Sequence, residues 1–318
     1  MGKISASMKR SFLVHLKNKV VDLEGIRKAK RMMEEALAEM ESQKNKGLNE
    51  GGDPLHMLYT AAITMISSCV YPLMGLKEMK EFNKVILQQE DLYQPSYPPM
   101  SPITDSYYIQ NELFDLQVGQ DKETLSGIVL ELVEVLNIPP AEVKIIKNLH
   151  NSKMSLYKLC KKSGDKVLLR ELLTNEEHWA VCPAGYKGKI GQLWYIRLMP
   201  GLPQYCDYSL VNMTPYVVLS YGENDWLKFF KKNEVNKDNF HNFMKFGPQK
   251  NYWNEFVFWG YCNFTNEAIF ISGLPDKKES WPCGDNFTEG NLLRESFYSM
   301  LLQSDKKKIL SHQPASRG

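Results

Sequence analysis

The stretch that decides the fold is residues 155–226, which read SLYKLCKKSGDKVLLRELLTNEEHWAVCPAGYKGKIGQLWYIRLMPGLPQYCDYSLVNMTPYVVLSYGENDW. Short apolar, β-branched and aromatic runs alternate there with clusters of Gly, Pro, Asn and Asp. This alternation is typical of closely spaced antiparallel strands joined by brief turns. We predict strands at residues 166–172, 179–182, 193–198, 208–211 and 216–219. Such a set predicts a small sheet or half-open barrel, with a helix at residues 223–232 packed on it.

Outside this stretch the sequence is mostly helical in pattern. Apolar residues recur at three and four positions over residues 122–136, which predicts an amphipathic helix. Residues 55–74 carry no charged side chain, but their His, Thr, Ser and Pro residues favour a buried core helix over a membrane span. The aromatic run at 252–262 predicts a buried helix, and residues 268–271 a strand. The fold class we predict is α+β: a helical N-terminal half followed by a small antiparallel β-rich core braced by aromatic helices.

Breaks in composition divide the chain into four predicted segments. Residues 1–52 form a basic helical arm and a linker, and residues 53–150 a helical region. Residues 151–290 form the β-rich core with its packed helices, and residues 291–318 a C-terminal helix and tail. Nine positive and two negative side chains over residues 1–31 leave a formal charge of +7 on the arm.

The composition of the 318 residues is that of an ordinary globular protein, with 43% hydrophobic residues and a formal net charge of +2. A charge this small does not by itself demand a nucleic-acid or membrane partner. The six cysteines show no CxxC spacing, and no signal peptide opens the chain. These features predict free thiols, a cytoplasmic location, no bound metal and no cofactor.

Several short strings resemble a group of uncharacterised bacterial proteins. They are AGYKG at 184–188, LWYIRL at 193–198, TPYV at 214–217 and NYWNEF at 251–256. The likeness covers roughly residues 121–276. It implies a bacterial origin and no particular chemistry.

No recognised catalytic motif is present: the sequence lacks GxSxG, HExxH, Walker A and GxGxxG patterns. Whether the protein is an enzyme therefore stays open at this stage. A hydrolase or nuclease would need a pocket that collects distant residues, and the candidates are His178, Glu171, Asp207, Glu255 and Cys206.

Aromatic and basic residues are concentrated in the predicted sheet. Small barrels use such faces to bind peptides or nucleic acid. The candidate binding residues are Tyr186, Lys187, Lys189, Trp194, Arg197 and Tyr216. Glu255 lies within an aromatic helix, where a buried carboxylate needs a cation, so we predict a buried ion pair between Glu255 and Arg197.

The function that these patterns favour is a cytoplasmic binding or regulatory protein that uses an aromatic and basic sheet face. Its partner is predicted to be another protein or a peptide. Two alternatives stay open. One is the hydrolase or nuclease described above, and the other is a nucleic-acid binder that uses the basic N-terminus.

Overall fold

The computed structural model describes residues 2–18, 51–98 and 100–277, together with single positions between 31 and 49. The predicted C-terminal helix and tail, and most of the predicted arm after residue 18, lie outside the described residues. The described chain forms two compact units. The first takes residues up to 85, 109–153 and 198–212, and the second takes residues 86–108, 154–197 and those from 213 onward. Each unit is therefore built from separate segments of the chain.

Helices make up most of the described chain up to residue 151. They are α1 (Lys3–Asn18), α2 (Pro54–Leu73), a 3₁₀ turn (Lys77–Met79), α3 (Lys80–Tyr93), α4 (Asp105–Phe114), α5 (Leu125–Glu131) and α6 (Pro140–Asn151). The predicted helix at 122–136 is thus shorter than expected. It begins after Thr124, whose hydroxyl accepts a hydrogen bond from the backbone N–H of Gly127 at 3.2 Å.

Helix α2 is the uncharged run, and its ends follow from its sequence. The Asp53 carboxylate caps it by accepting from the backbone N–H of His56 at 2.8 Å, and Pro54 occupies the first turn. One side of the helix is buried, including Leu55, Tyr59 and Met65. Among the helices of the described chain, none is both long and apolar enough to cross a membrane.

The first turn of α1 is held by acidic side chains from the loop before α5. The Glu123 carboxylate accepts from the backbone N–H groups of Ile4 at 2.8 Å and Ser5 at 2.9 Å. Asp121 accepts from the backbone N–H of Lys3 at 2.7 Å. Since the first N–H groups of a helix have no partner within the helix, these carboxylates satisfy them and also offset the positive end of the helix dipole.

We expect Glu123→Ala to lower the free energy of unfolding by about 1–3 kcal/mol, because two partly buried N–H groups lose their acceptor. Urea unfolding monitored by circular dichroism measures this change. The matched control is Glu134→Ala, which removes an 82% exposed carboxylate lying 3.7 Å from Lys9 and is expected to cost below about 1 kcal/mol. Equal losses in the two variants would show that Glu123 does not anchor the helix.

The second unit contains most of the strands. They are β1 (Met154–Ser163), β2 (Lys166–Glu171), β3 (Glu177–Val181), the main part of β4 (Leu193–Met199), β6 (Tyr216–Val218), β7 (Tyr261–Phe264) and β8 (Ile269–Ile271). The strand β5 (Ser209–Val211) belongs to the first unit, where it pairs with the last two residues of β4. Within the second unit the strands lie in the order β3-β2-β1-β4-β6-β8-β7.

Two features of this sheet differ from the prediction. The pairing of β6 with β8 is parallel, so the sheet is mixed rather than antiparallel throughout. The predicted strands also omitted β1, the longest one, which pairs with both β2 and β4. A bulge between Leu159 and Lys161 interrupts its alternation and is followed by three polar residues.

Three helices pack against one face of this sheet: α7 (Glu223–Lys232), α8 (Lys237–Phe246) and α9 (Tyr252–Trp259). The predicted aromatic helix at 252–262 ends earlier, at Trp259, and its last residues begin β7. Glu223, in the first turn of α7, binds Lys158 of β1 at 2.6 Å and Arg170 of β2 at 2.9 Å. These ion pairs hold α7 against the part of the β1–β2 hairpin that lies away from its turn.

Candidate binding surface

The far end of the β1–β2 hairpin and the loop at residues 185–191 together form a lysine-rich surface, which we call the basic end. Backbone hydrogen bonds join the two segments: the N–H of Gly191 donates to the oxygen of Leu159 at 2.8 Å, and the N–H of Leu159 to that of Gln192 at 2.9 Å. Lysine ammonium groups add two more contacts, from Lys162 to the oxygen of Gly188 and from Lys187 to that of Gly164 at 3.4 Å.

The glycine pattern of the loop has a specific cause at Gly188. This residue has a φ of +56°, which favours glycine. A Cβ atom there would lie 2.7 Å from both the Trp194 ring and the Gln192 side-chain oxygen. The loop can therefore lie against the Trp194 ring only because this position has no side chain.

The basic end is strongly positive. Residues 161–166 and 185–191 contain five lysines and one aspartate, which gives a formal charge of +4. The lysines are Lys161, Lys162, Lys166, Lys187 and Lys189, of which all but Lys166 are exposed. Outside these segments the charge of Glu267 acts on Tyr186: it adds to the effect of burial, the larger cause, which raises the pKa of that phenol.

Three of the six predicted binding residues lie at the basic end: Tyr186, Lys187 and Lys189. The Tyr186 ring is half-buried, and its centroid lies 5.3 Å from the Trp194 ring and 6.1 Å from the Phe270 ring. Its hydroxyl donates to the Gln192 side-chain oxygen at 3.2 Å, and the same oxygen accepts from the backbone N–H of Lys189 at 2.6 Å. Tyr186 therefore shapes the loop as well as bordering its surface.

The other three predicted binding residues are buried. Trp194 and Tyr216 have no exposed surface, and Arg197 is 1% exposed. The Tyr216 hydroxyl donates to the backbone oxygen of Pro102 at 2.8 Å. A ligand on the surface does not reach these side chains, because β4 and β6 are covered on both faces.

Trp179 is an exposed aromatic residue beside the hairpin and was not among the predicted binding residues. In β3 it pairs with Leu168 of β2, and Leu168 pairs with Lys161 of β1, so the three side chains form one row on one face. The neighbouring row contains Ser163, Lys166 and Val181. Trp179 is 39% exposed, whereas Leu168 is buried. The sequence signal that could have found Trp179 is the alternation along β3, which places this ring on the same outward face as the charged Glu177.

A buried polar cluster lies in the same unit, around Tyr157. The Glu171 carboxylate accepts from the Thr174 hydroxyl at 2.7 Å and is 2% exposed. Burial raises the pKa of Tyr157 well above its usual value, the charge of Glu171 and its hydrogen bond with the phenol raise it further, and Arg197 opposes them. Glu171 and Arg197 therefore both act on one phenol.

Of the residues proposed for a hydrolase or nuclease, Glu171 and His178 both adjoin Tyr157. The centroids of the His178 and Tyr157 rings are 6.4 Å apart. Asp207 and Cys206 belong to the first unit, on the loop before β5. Glu255 is half-buried, and its charge adds to the effect of burial that raises the pKa of Tyr93. The predicted pair of Glu255 with Arg197 stays a prediction.

The basic N-terminus is described only in part. The ammonium group of Lys3 donates to Gln120 at 2.6 Å, and Lys9 lies 3.7 Å from Glu134. These two cations thus already face side chains of their own unit. Arg10 is exposed, and Arg31 lies 3.4 Å from Glu35. The other positive side chains of the arm lie outside the residues whose side chains are described.

Metal binding has no candidate within the described ranges, since no three His, Cys, Asp or Glu side chains there are grouped so that they could hold an ion. Comparisons with protein-family models, with curated proteins and with solved structures found no match to this chain.

Proposed function

We propose that this is a binding protein that takes a polyanionic partner on the basic end of its β1–β2 hairpin. The observation that carries the proposal is the joining of two lysine-rich segments through backbone hydrogen bonds, which places four exposed lysines, Lys161, Lys162, Lys187 and Lys189, on one surface. Such a concentration of one charge attracts a partner of the opposite charge and speeds its association. The proposal keeps the basic sheet face predicted from the sequence but moves it from Trp194 and Arg197 to the hairpin.

The exposed lysines at the basic end differ in their contacts from the cations nearer the helices. Lys158 and Arg170 are both bound to Glu223. Lys162 and Lys187 contact backbone carbonyl oxygens, which carry no formal charge. The cations of the hairpin thus fall into two groups. Lys158 and Arg170 stabilise the fold, and the lysines of the basic end bind the partner.

A cytoplasmic location is part of the same proposal. Cys160, Cys182 and Cys206 form no disulfide bond within the described chain. Thiols in this state are usual in reducing compartments.

The test is binding to a labelled heparin oligosaccharide, a sequence-free polyanion, at several salt concentrations. We expect Lys161→Ala/Lys187→Ala/Lys189→Ala to weaken binding and to flatten its dependence on salt. For a single-stranded nucleic acid, the same variant should lower the slope of log affinity against log salt by about 0.7 per lysine. These substitutions remove exposed cations and leave the backbone–backbone hydrogen bonds between the hairpin and the loop in place, although the contact of Lys187 with Gly164 is lost.

The matched control is Lys228→Ala/Lys231→Ala/Lys250→Ala, which removes three exposed cations from the helical part of the same unit. It has the same net charge as the test variant and should bind as the unaltered protein does. Equal weakening in both variants would mean that only net charge matters, and the basic end would then not be the site.

A further inference from the structure

The basic end continues into an exposed sheet face that carries an aromatic ring. Lys161, Leu168 and Trp179 stand side by side on β1, β2 and β3. Since neighbouring strands are about 4.8 Å apart, the backbones of Lys161 and Trp179 are separated by about 10 Å. An indole and an ammonium group are thus offered to a ligand on one face, close to the lysines of the hairpin turn.

From this juxtaposition we propose that the polyanion is a single-stranded nucleic acid, one of whose bases stacks on Trp179 while its phosphates contact the lysines of the basic end. This inference rests on the function proposed above and names the ligand of the same site. Proteins that bind single strands without sequence preference combine a positively charged track with aromatic side chains, because every base has a π-face.

The exposure of Trp179 is what favours a nucleic acid over other polyanions. An acidic peptide or a sulfated sugar offers negative charge but no flat aromatic surface to an indole. The remaining aromatic rings near the basic end do not offer their faces in the same way, because Trp194 is fully buried and Tyr186 packs on Trp194 and Phe270.

A single strand also fits the site better than a duplex. The bases of a duplex are stacked on one another, and a protein that binds one of them must supply the free energy of unstacking and unpairing it. Trp179 is 39% exposed and stands beside the buried Leu168 on the neighbouring strand. It can therefore accept a base that is already unstacked.

The experiment measures fluorescence anisotropy of a labelled ten-nucleotide single strand of mixed sequence, at low salt, with the unaltered protein, Trp179→Ala, Trp179→Phe and Tyr205→Ala. We expect Trp179→Ala to weaken binding about tenfold, within the range found for the loss of one base–aromatic stack. Trp179→Phe should keep most of the affinity. Tyr205→Ala removes a 47% exposed ring from the first unit and should change nothing.

A second readout distinguishes stacking from a merely structural effect. Binding of the unlabelled strand should quench part of the intrinsic tryptophan fluorescence, and this part should be missing in Trp179→Phe. Circular dichroism confirms that each variant is folded.

The outcomes separate the two proposals. If Trp179→Ala binds the strand as tightly as the unaltered protein, while the triple lysine variant loses binding, stacking is overturned and the polyanion site stands. Equal affinity for a duplex of the same length, with no quenching, likewise overturns the single-strand inference. If neither heparin nor the single strand binds, both proposals fall.

Discussion

Raising the pH from 9 to 12 should unfold the second unit, because burial strongly raises the pKa of five of its tyrosines. They are Tyr93, Tyr157, Tyr216, Tyr252 and Tyr261. A phenol with a raised pKa keeps its proton in the folded state at a pH where the unfolded chain, with a pKa of about 10, releases it. Its contribution to stability is therefore complete below pH 10 and is lost as the pH rises toward the folded pKa.

The expected size of this effect is large. At pH 11 each such group costs about 1.4 kcal/mol, so five of them cost roughly 7 kcal/mol, which is comparable with the whole stability of a domain. The share of the phenolate absorbance near 295 nm that comes from these five rings should appear only together with the loss of the circular dichroism signal, at a pH above 10. Ionisation of all sixteen tyrosines while the folded circular dichroism signal persists would contradict the assignment of these rings to the core.

Tyr261→Phe sharpens this test. Tyr261 is 3% exposed, and its hydroxyl has no hydrogen-bond partner among the described residues. We expect the variant to be as stable as the unaltered protein at pH 7 and more stable by about 1.4 kcal/mol at pH 11. Tyr216→Phe is the comparison: it also removes a titrating group, but it loses the hydrogen bond to Pro102 and should cost about 1 kcal/mol at neutral pH.

Local signals in the sequence predicted most of the elements. The helix at residues 223–232 was predicted with the bounds that the structure shows, because Trp226, Phe229 and Phe230 recur at helical spacing behind an acidic first turn. Helix α2 and strands β2, β3 and β4 were found within a few residues. In each case the apolar pattern of the element and the residues that end it lie within one short segment of the sequence.

The sequence could not predict the elements that depend on distant segments. β1 contains a bulge, and a bulge moves side chains between faces in a way that its partner strand determines. The parallel pairing of β6 with β8 joins segments about fifty residues apart. β7 was taken for the end of a helix, since the aromatic run continues across Gly260.

The candidate site shows the same limit. The Gly and Lys pattern of the 185–191 loop predicts Lys187 and Lys189 as binding residues, and both are exposed in the structure. Whether an aromatic ring of the sheet is exposed depends on which sheet face the helices cover. The residues around Trp194 and Tyr216 give no sign that both faces of their strands are covered. Trp179 lies on a strand with alternating burial, and that alternation was the available signal.

Trp226→Ala should destabilise the second unit by about 3–5 kcal/mol, the usual cost of removing a large buried aromatic side chain. Trp226 has no exposed surface and lies at the centre of the aromatic core. Its ring centroid is 5.4 Å from that of Phe229 and 5.5 Å from that of Phe256. Urea unfolding measures the loss, and Trp179→Ala, at a 39% exposed site, should lower stability by only about 1 kcal/mol.

Trp226→Phe separates the packing of this ring from its polar atom. Within the described residues, the indole nitrogen of Trp226 is buried without a hydrogen-bond partner, a state that costs about 1–3 kcal/mol. Phenylalanine retains much of the ring contact and removes that nitrogen, so the two effects oppose each other and we expect a net change below about 1.5 kcal/mol. A loss as large as that of the alanine variant would mean that the indole nitrogen is satisfied in solution. The polar atom, rather than the ring, would then hold α7 against the sheet.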